Sequence, residues 1–592
     1  MPNSGRVTVL DIKRQVIKIA GESGQGVNSI GEIVAKAIKK SGFYTFGYRE
    51  YPSLIKGGHA FHQIDFADHP INSSSRATDV LVCFSRVSFH AYLPTLRSYG
   101  QVIHMLTQLE LTDAERQLVE KKKIKIGYLA AGDLAQEAGG KTIMANVVLI
   151  GALWKLMGLK LEPLEEVVRS EFAAKPEVIE PNINCLKKGH GLKLKDLETL
   201  KITFKPQANC QHDALLTGNH LIALGAMAAG VRAYFAYPMT PSSSILSYMA
   251  DTYRETGMLV KQIDDEISVA QMAIGAMFMG TRALVATSGG GFDLMTESVS
   301  LAGMTETPFV CILGQRPGPA TGLPTWTSAS DLNLALYAGH GEFPRCVVAV
   351  SDSKSAYTVI QNAFNLAEKY QIPVIVLSEK QIAESLFQVK ELKDNIPIER
   401  YFAEGKEPTT LESGDRYKIT KSGISPRWLP GESDATFVAN SDEHAADGSV
   451  TEDSEAALAM YSKRLRKLEF LRDDLPEPVL VGPQKSALTF VSWGSTRNTI
   501  GDAMDLWNKA HPKKSVNLLH YEYIYPPKTS KLLDLIAAAQ PLVLLENNAF
   551  GQLGALLTAH TRYQFSDKLL KFDGRPFFVE ELIEYLEAKL KY

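Results

Sequence analysis

The first stretch that could do chemistry is the seven residues Tyr237-Pro238-Met239-Thr240-Pro241-Ser242-Ser243. Thr followed by Pro is a favourable helix N-cap and first helical position. Behind it, apolar residues fall on one helical face: Ile245, Leu246, Met249, Ala250 and Tyr253. The pattern therefore predicts Thr240 at a helix N-terminus, where a free hydroxyl and unpaired N–H groups suit a carboxylate or a phosphate. An ordinary capped helix after a loop would give the same pattern.

The second feature is Glu266, which follows a short predicted strand at 259–263. Asp264 or Asp265 can cap the next helix, so that Glu266 lies in its first turn. Helix 265–279 is apolar nearly all round, and we expect it to be buried. A carboxylate at the mouth of a buried helix is either paired or kept for proton transfer. The alternative is that Glu266 only favours the helix dipole.

Strands and helices alternate around these two features. Short apolar strands between helices are typical of a mostly parallel sheet with helices on both faces. In such sheets, ligands bind at the carboxyl ends of the strands. Four segments follow predicted strand ends and are expected to converge on one site: 237–241, Glu266, 288–291 and 315–325.

The same alternation divides the chain into an α/β multidomain protein. The predicted units are an α/β domain at 1–195, a second at 210–388, an extended linker at 389–478 and a third α/β domain at 479–592. The first unit opens with a strand and a turn containing Gly24-Gln25-Gly26. Its glycine spacing matches neither the dinucleotide fingerprint nor a Walker A loop.

Composition excludes several classes of protein. The 592 residues are 45% hydrophobic and 22% charged, as in globular proteins, and the formal charge of −3 argues against nucleic acid as a partner. No window of eighteen uncharged apolar residues occurs, so no membrane span is predicted. The five cysteines are scattered without a CxxC pair, which argues against disulfides or a cluster in this chain and favours the cytoplasm. His59 and His62 lack a third ligand, so no metal site is predicted.

Taken in order, the motifs resemble one family. Residues 237–243 match a YPITPSS signature, with Met239 in place of Ile. Further landmarks lie at 264–266, 287–292, 318–325, 423–427, 463–464, 546–548, 551–553 and 573–577. In the first domain they are Gly24-Gln25-Gly26 and Lys56-Gly57-Gly58. The chain thus resembles the 2-oxoacid:ferredoxin oxidoreductases, specifically an alpha subunit with a gamma domain fused in front of it.

The resemblance implies fold and activity. Units 1–195, 210–388 and 479–592 would be a gamma domain, a thiamine-diphosphate pyrimidine-binding domain and a transketolase C-terminal-like domain. The family converts a 2-oxoacid and coenzyme A to acyl-coenzyme A and carbon dioxide, reducing ferredoxin, and 2-oxoglutarate or a related 2-oxoacid is the implied substrate. The alternatives are a transketolase or synthase relative without a redox role, and a non-catalytic subunit; a scaffold would not need Glu266.

The resemblance also assigns roles to residues. Glu266 is implied to share a proton with the aminopyrimidine ring of thiamine diphosphate, which promotes deprotonation of the thiazolium carbon. The remaining cofactor-binding residues are Ser288, Gly289 and Gly290. The implied substrate-binding residues are Tyr237, Pro238, Thr240, Pro241, Ser242 and Trp326. At 326 many relatives carry Arg or Lys, which can pair with a carboxylate, and residues 328–332 also depart from the family pattern. A larger apolar or aromatic 2-oxoacid is therefore an alternative substrate.

Two parts of the family's machinery are missing from this sequence. It contains no Gly-Asp-Gly motif for the magnesium ion that holds the diphosphate, and no cysteine pattern for an iron–sulfur cluster. A beta subunit is expected to supply Mg²⁺ and [4Fe-4S], so that thiamine diphosphate is shared between the two chains. Helix 265–279 and the loops around Pro238 and Gly290 are expected to line that interface, and the complex to be an (alpha-beta)₂ heterotetramer.

Overall fold

The computed structural model describes residues 13–54, 57–393, 395–403 and 410–590. Lys56, part of one landmark of the first domain, lies outside these residues. Three sheets organise the described chain, with eight, seven and five strands. Helices cover them, which agrees with the α/β multidomain class expected from the sequence.

The first sheet has the strand order β6-β5-β4-β1-β3-β2-β14-β7, in which the last two strands are β14 Leu386–Val389 and β7 Ala214–Thr217. Its first six strands are β1 Gln15–Ser23, β2 Tyr44–Glu50, β3 Gly57–Ala67, β4 Thr78–Cys83, β5 Leu96–His104 and β6 Lys125–Tyr128. The helices of this unit are α1 Val27–Lys40, α2 Arg86–Tyr92, α3 Asp113–Lys122, α4 Ala131–Glu137, α5 Ala145–Met157, α6 Glu162–Glu171 and α7 Ile179–His190. The sheet is mixed: β1, β4, β5 and β6 run parallel, whereas β3 pairs antiparallel with both β1 and β2.

The second sheet, ordered β18-β12-β13-β11-β10-β8-β9, carries the motifs, and its edge strand β18 is Tyr523–Tyr525. The strands from this part of the chain are β7 Ala214–Thr217, β8 Ala233–Ala236, β9 Leu259–Gln262, β10 Ala283–Thr287, β11 Phe309–Gln315, β12 Cys346–Ala349, β13 Pro373–Glu379 and β14 Leu386–Val389. The helices are α8 Gly218–Ala228, α9 Ser243–Thr256, α10 Glu266–Phe278, α11 Gly289–Leu294, α12 Thr296–Met304, α13 Leu332–Tyr337, α14 Ser353–Tyr370 and α15 Lys380–Glu384. Every residue of β10, β11 and β13 is buried, as expected for parallel strands covered on both faces.

Helix α16, Ser454–Asp474, ends the linker, and the third sheet follows in the order β15-β17-β16-β19-β20. The strands of this part are β15 Val479–Val481, β16 Leu488–Trp493, β17 Val516–Tyr521, β18 Tyr523–Tyr525, β19 Leu542–Glu546 and β20 Asp567–Leu570. Its helices are α17 Thr496–Ala510, α18 Ser530–Ala537, α19 Gln552–Thr561 and α20 Val579–Leu590.

The sheets exchange strands across the units that the sequence suggested. Strands β7 and β14 lie within 210–388 but extend the first sheet, where β14 pairs with β2 and β7. Strand β18, from the third unit, pairs with β12 of the second sheet. The units are therefore joined through backbone hydrogen bonds as well as through side chains.

The linker is packed more closely than a surface connection. Glu306, which precedes β11, is buried, and its carboxylate pairs with two buried lysines of α16: Lys463, at 2.5 Å, and Lys467. The lysine charges hold the pKa of Glu306 well below its usual range, against the effect of burial. The pairing fixes α16 against the second sheet.

Among the described helices, no single one is long and apolar enough to cross a membrane. One pair, Ala131–Glu137 with Thr142–Met157, passes that test together on length and composition, with a bend of 117° between its members.

Candidate active site

Glu266 is the first residue of α10, and its position is set by the cap before it. Asp265 is the N-cap, and its carboxylate accepts a hydrogen bond from the Ser268 N–H at 2.8 Å. Glu266 is only 4% exposed, and its Oε1 has no hydrogen-bond partner within the described chain. Since buried polar atoms are normally paired, this oxygen marks a place for a ligand.

Helix α11 closes one side of this carboxyl group. A methyl group on Gly291 would lie 2.7 Å from Glu266 Oε1 and 2.0 Å from Thr287 Oγ1, so only glycine fits there. A methyl group on Gly290, by contrast, would meet nothing within 4 Å. Ser288 is buried, and its hydroxyl lacks a hydrogen-bond partner in the part of the chain described here. The unpaired oxygens of Glu266 and Ser288 and the open backbone of Gly290 thus form a candidate binding surface for a ligand.

Thr240 is not the helix N-cap that the sequence predicted. The cap is Ser242, and α9 begins at Ser243. A turn precedes the helix, because the Ser242 N–H donates to the Met239 carbonyl at 2.9 Å and the Ile245 N–H to the Ser242 carbonyl at 3.0 Å. This turn replaces the side-chain cap predicted at Thr240, which lies two residues before the helix cap.

The turn is nevertheless fixed against the end of β11. Arg316 donates from Nη1 to the Thr240 carbonyl at 2.8 Å. Pro241 lies so close to Gly314 that a methyl group there would be 3.2 Å from its Cγ and 3.3 Å from the Thr287 carbonyl. The convergence predicted for 237–241, Glu266 and 288–291 is therefore found around Thr287.

The candidate residues of the turn differ in their exposure and in the hydrogen bonds that they already make. Tyr237 and Pro238 are exposed, and Thr240 is half-buried. Ser242 is buried, and its hydroxyl donates to the Met239 carbonyl at 2.7 Å. The sequence reading missed Asn219 of α8, whose side-chain amide donates to the Pro241 carbonyl at 2.7 Å. No local sequence pattern identifies Asn219, because the carbonyl group that it binds lies 22 residues further along the chain.

Asp331 is a second carboxyl group at this edge of the sheet. A methyl group on Gly289 would lie 2.9 Å from Asp331 Oδ2, and that oxygen has no hydrogen-bond partner among the described residues. Burial, together with the nearby carboxylate of Asp293, raises the pKa of Asp331 to about 6, although Arg316 opposes this effect. The sequence reading noted 328–332 only as a departure from the family pattern.

Trp326 lies at the far end of the loop that starts at Arg316. The Arg575 guanidinium of the third unit stacks over its ring, with Cζ 3.4 Å from the ring centroid. On either side, the Thr325 hydroxyl donates to the Tyr51 carbonyl at 2.5 Å, and the Thr327 N–H donates to the Gly574 carbonyl at 3.1 Å. Trp326 thus lies where the three units meet.

Glu379, the last residue of β13, joins the same region to the third unit. Its Oε1 accepts a hydrogen bond from the Ser495 N–H at 2.8 Å, and the Thr327 hydroxyl lies 3.4 Å from Oε2. Burial raises the pKa of Glu379 to about 7, because these hydrogen bonds to the charged form only partly offset desolvation.

The described residues contain no group of three or more His, Cys, Asp and Glu side chains placed to hold a metal ion. All five cysteines are free and buried. The histidine pair at 59 and 62 lies on strand β3, where burial lowers the pKa of His62 to about 3. His62 packs against Gly31 of α1 and so has a structural position.

Comparison with known protein families gives the class to which this parallel sheet and its unpaired carboxyl group belong: subunits with a thiamine diphosphate-binding domain. The family model "Pyruvate flavodoxin/ferredoxin oxidoreductase, thiamine diP-bdg" matches residues 224–463. A second model, "Pyruvate ferredoxin/flavodoxin oxidoreductase", matches residues 16–192. Both belong to oxidoreductases, and the second corresponds to the gamma-like domain at the front of the chain.

Relatives that match nearly the whole chain identify the family within this class. A 2-oxoacid:ferredoxin oxidoreductase subunit alpha from Sulfolobus sp is 32% identical, over 97% of this chain and 96% of the relative. The 2-oxoglutarate oxidoreductase subunit KorA from Mycobacterium tuberculosis is 27% identical, over 98% of this chain and 92% of that relative. This chain therefore belongs to the family of 2-oxoacid:ferredoxin oxidoreductase alpha subunits, as its motifs indicated.

A solved structure gives the same result for the fold. The 2-oxoglutarate:ferredoxin oxidoreductase from Magnetococcus marinus, determined with 2-oxoglutarate, coenzyme A and succinyl-CoA bound, superimposes with a TM-score of 0.87. It is 27% identical, and the match covers 98% of this chain and 99% of that chain. The order of the three units is thus that of the family.

Proposed function

We propose that this chain is the catalytic alpha subunit, with a fused gamma domain, of a complex that oxidises 2-oxoglutarate or a related 2-oxoacid. The products are an acyl-coenzyme A and carbon dioxide, and the electrons go to ferredoxin. The observation that carries the proposal is the buried, unpaired Oε1 of Glu266 against the Gly291 backbone. The relatives named for 2-oxoglutarate and the neighbour that binds coenzyme A support the choice of substrates.

The residues around Glu266 fit the pyrimidine half of thiamine diphosphate. A methyl group on Gly290 would meet nothing within 4 Å. Glu266 Oε1 and Ser288 Oγ have no hydrogen-bond partner within the described chain. When bound, this cofactor supplies the carbanion chemistry that 2-oxoacid decarboxylation requires. Glu266 would hold a proton at Oε1 and share it with the ring nitrogen, while Gly291 keeps the carboxyl group in place.

Thr240 would orient the substrate. Its hydroxyl makes no hydrogen bond in the described structure, and its backbone carbonyl is already held by Arg316. The hydroxyl is therefore free to donate to the carboxylate of a 2-oxoacid, with Tyr237 and Pro238 exposed beside it. Charge-assisted hydrogen bonds of this kind fix orientation as well as affinity.

A partner subunit would complete the site. The sequence predicts that helix 265–279 is buried, and this prediction is wrong for the chain alone: Ile267 is 51% exposed, Met272 39% and the C-cap residue Met279 52%. Large apolar side chains exposed along one helix mark an interaction surface. This face supports a partner subunit. In the proposal the partner is a beta subunit, which brings Mg²⁺ and [4Fe-4S], shares thiamine diphosphate with this chain and forms an (alpha-beta)₂ complex. The free cysteines support the cytoplasm as its compartment.

The test compares the purified chain with the chain co-expressed with a partner that carries Gly-Asp-Gly and clustered cysteines. The complex should reduce ferredoxin or a viologen when given thiamine diphosphate, coenzyme A and one member of a panel of 2-oxoacids. The chain alone should be colourless and inactive. A brown, active chain without a partner would contradict the shared site, and a complex that oxidises no 2-oxoacid would contradict the function.

A further inference from the structure

Three residues from three units meet at one point. The Arg575 guanidinium stacks on Trp326, with 3.4 Å between Cζ and the ring centroid. Arg575 Nε also lies 3.4 Å from Oε1 of Glu50, at the end of β2. Glu50 is buried, and its Oε1 accepts a hydrogen bond from the Tyr48 hydroxyl. A cation of the third unit is thus held between an indole ring and a carboxylate.

The backbone around Arg575 is fixed, whereas its side chain keeps free donors. The Arg575 N–H donates to Asp573 Oδ1 at 2.9 Å, and the Asn547 side chain donates to the Arg575 carbonyl at 3.1 Å. Nη1 makes one hydrogen bond of 3.3 Å, to the Asp573 carbonyl, and no hydrogen bond from Nη2 is found in the described chain. The side chain is 34% exposed. One edge of the guanidinium is therefore open to a ligand.

The loop 316–327 connects the region of Arg575 to the candidate substrate site. This loop begins at Arg316, which donates a hydrogen bond to the Thr240 carbonyl, and Trp326 lies near its other end. Its start also contacts the third unit, because a methyl group on Gly574 would lie 3.8 Å from Pro317 Cγ and 3.3 Å from Trp326 Cβ. On the other side, Glu50 lines a cavity of about 420 Å³ that begins at the glycine turn of the first unit. Arg575 thus contacts Trp326 at the end of this loop and Glu50 on the wall of that cavity.

We infer that Arg575 binds the distal carboxylate of a dicarboxylic 2-oxoacid and so determines substrate selectivity, an inference that rests on the proposed function. A planar guanidinium binds a carboxylate through parallel N–H donors, and stacking on an aromatic ring leaves that edge free. Arg575 also covers one face of the Trp326 indole, so that face is not offered to an aromatic substrate. A phosphate of coenzyme A has the same anionic chemistry, and the experiment separates the two sources.

The experiment measures kcat/KM of the complex for 2-oxoglutarate and for the monocarboxylic 2-oxobutyrate, and KM for coenzyme A. In Arg575→Gln, the ratio of 2-oxoglutarate to 2-oxobutyrate should fall about tenfold or more, the size expected for a lost charge-assisted pair. Arg575→Lys should keep part of the preference, because the charge remains but the bidentate geometry does not. Lys568→Gln, which removes an exposed charge from β20 of the same unit, is the control and should leave the ratio unchanged.

Using a ratio separates selectivity from damage to the fold, since a disturbed interface would slow both acids alike. An unchanged ratio in Arg575→Gln, or a wild-type complex that prefers 2-oxobutyrate or an aromatic 2-oxoacid, would overturn the inference and leave the proposed function intact. A rise confined to the KM for coenzyme A would assign Arg575 to the coenzyme and also overturn it. If the complex oxidised no 2-oxoacid at all, the proposed function itself would fail.

Discussion

Glu266 Oε1 and the backbone of Gly291 are in direct contact, with no room for a methyl group between them. Such a group would lie 2.7 Å from the carboxyl oxygen. The contact comes from two helices that begin after the two strands on either side of β8, α10 after β9 and α11 after β10. It fixes the direction of a carboxyl group that has no other partner for Oε1 in the described chain. Position and lack of pairing are together what a proton-transfer group requires.

Replacing Glu266 with Gln should lower kcat of the complex by about 100-fold or more, the usual scale for a group that transfers a proton. Gln is nearly isosteric, so the thermal unfolding temperature should change little. Glu297→Gln, in the exposed first turn of α12, controls for the loss of a carboxylate. Near-normal turnover in Glu266→Gln would remove this residue from the mechanism.

Gly290 and Gly291 are adjacent but should respond differently to alanine. Gly291→Ala forces the new methyl group against Thr287 Oγ1 and Glu266, so both the unfolding temperature and kcat should fall. Gly290→Ala meets nothing within 4 Å in the chain itself, so stability should be kept. Its methyl group would instead occupy the space assigned to the cofactor, and the thiamine diphosphate concentration needed for half-maximal activity should rise.

The control for this pair is Gly501→Ala in α17, where a methyl group also meets nothing within 4 Å. That variant should keep both stability and cofactor affinity. If Gly290→Ala bound the cofactor as tightly as Gly501→Ala does, the cofactor would not lie against the start of α11.

Thr240→Ala tests the substrate turn. Loss of one charge-assisted hydrogen bond costs about 1.5–3 kcal/mol, so KM for the 2-oxoacid should rise by roughly ten- to a hundredfold. KM for coenzyme A should hardly move, and steady-state kinetics with each substrate varied in turn gives both values. Thr256→Ala, at the other end of α9, is the matched control. An equal rise in both Michaelis constants would count against a contact between Thr240 and the carboxylate.

The parts of this site that the sequence predicted correctly are local. An Asp before an apolar helix predicted the cap and the position of Glu266, because capping acts over three residues. Alternation of buried strands and helices predicted that 237–241, Glu266 and 288–291 share one edge of a sheet. Even here the local rule failed at Thr240, where a hydrogen-bonded turn took the place of a side-chain cap.

What the sequence could not predict depends on contacts between distant residues. Trp326 and Arg575 are separated in the chain by the rest of the second unit, the linker and most of the third unit. From the sequence alone, the absence of a basic residue at 326 therefore indicates the loss of a cation. In the structure the third unit provides that cation, because Arg575 Cζ lies 3.4 Å from the centroid of the Trp326 ring. A Trp326→Arg substitution would place a second guanidinium group beside that of Arg575. The exchange of β7, β14 and β18 between sheets has the same origin.

Glu379 should make the stability of the chain depend on pH. Its pKa is raised to about 7 in the folded chain by burial, whereas an unfolded Glu titrates near 4.5. Between these values the folded chain binds one more proton than the unfolded chain, so the free energy of unfolding falls as pH rises. The contribution of the neutral carboxyl group is complete below pH 4.5 and is lost as pH rises to 7. A shift of this size corresponds to about 3 kcal/mol.

Unfolding of the wild type and of Glu379→Gln by urea at pH 5, 6, 7 and 8 measures this effect. Gln does not titrate, so the variant should gain stability relative to the wild type as pH rises, and the gain should level off above pH 7. Other groups cancel in the comparison because both chains share them, among them Asp331 and Lys380, whose pKa values are also shifted by burial. Glu469→Gln removes an exposed carboxylate of α16 and should show no such trend. A difference between wild type and Glu379→Gln that stays constant from pH 5 to 8 would mean that Glu379 is ionised throughout, held by Ser495 and Thr327.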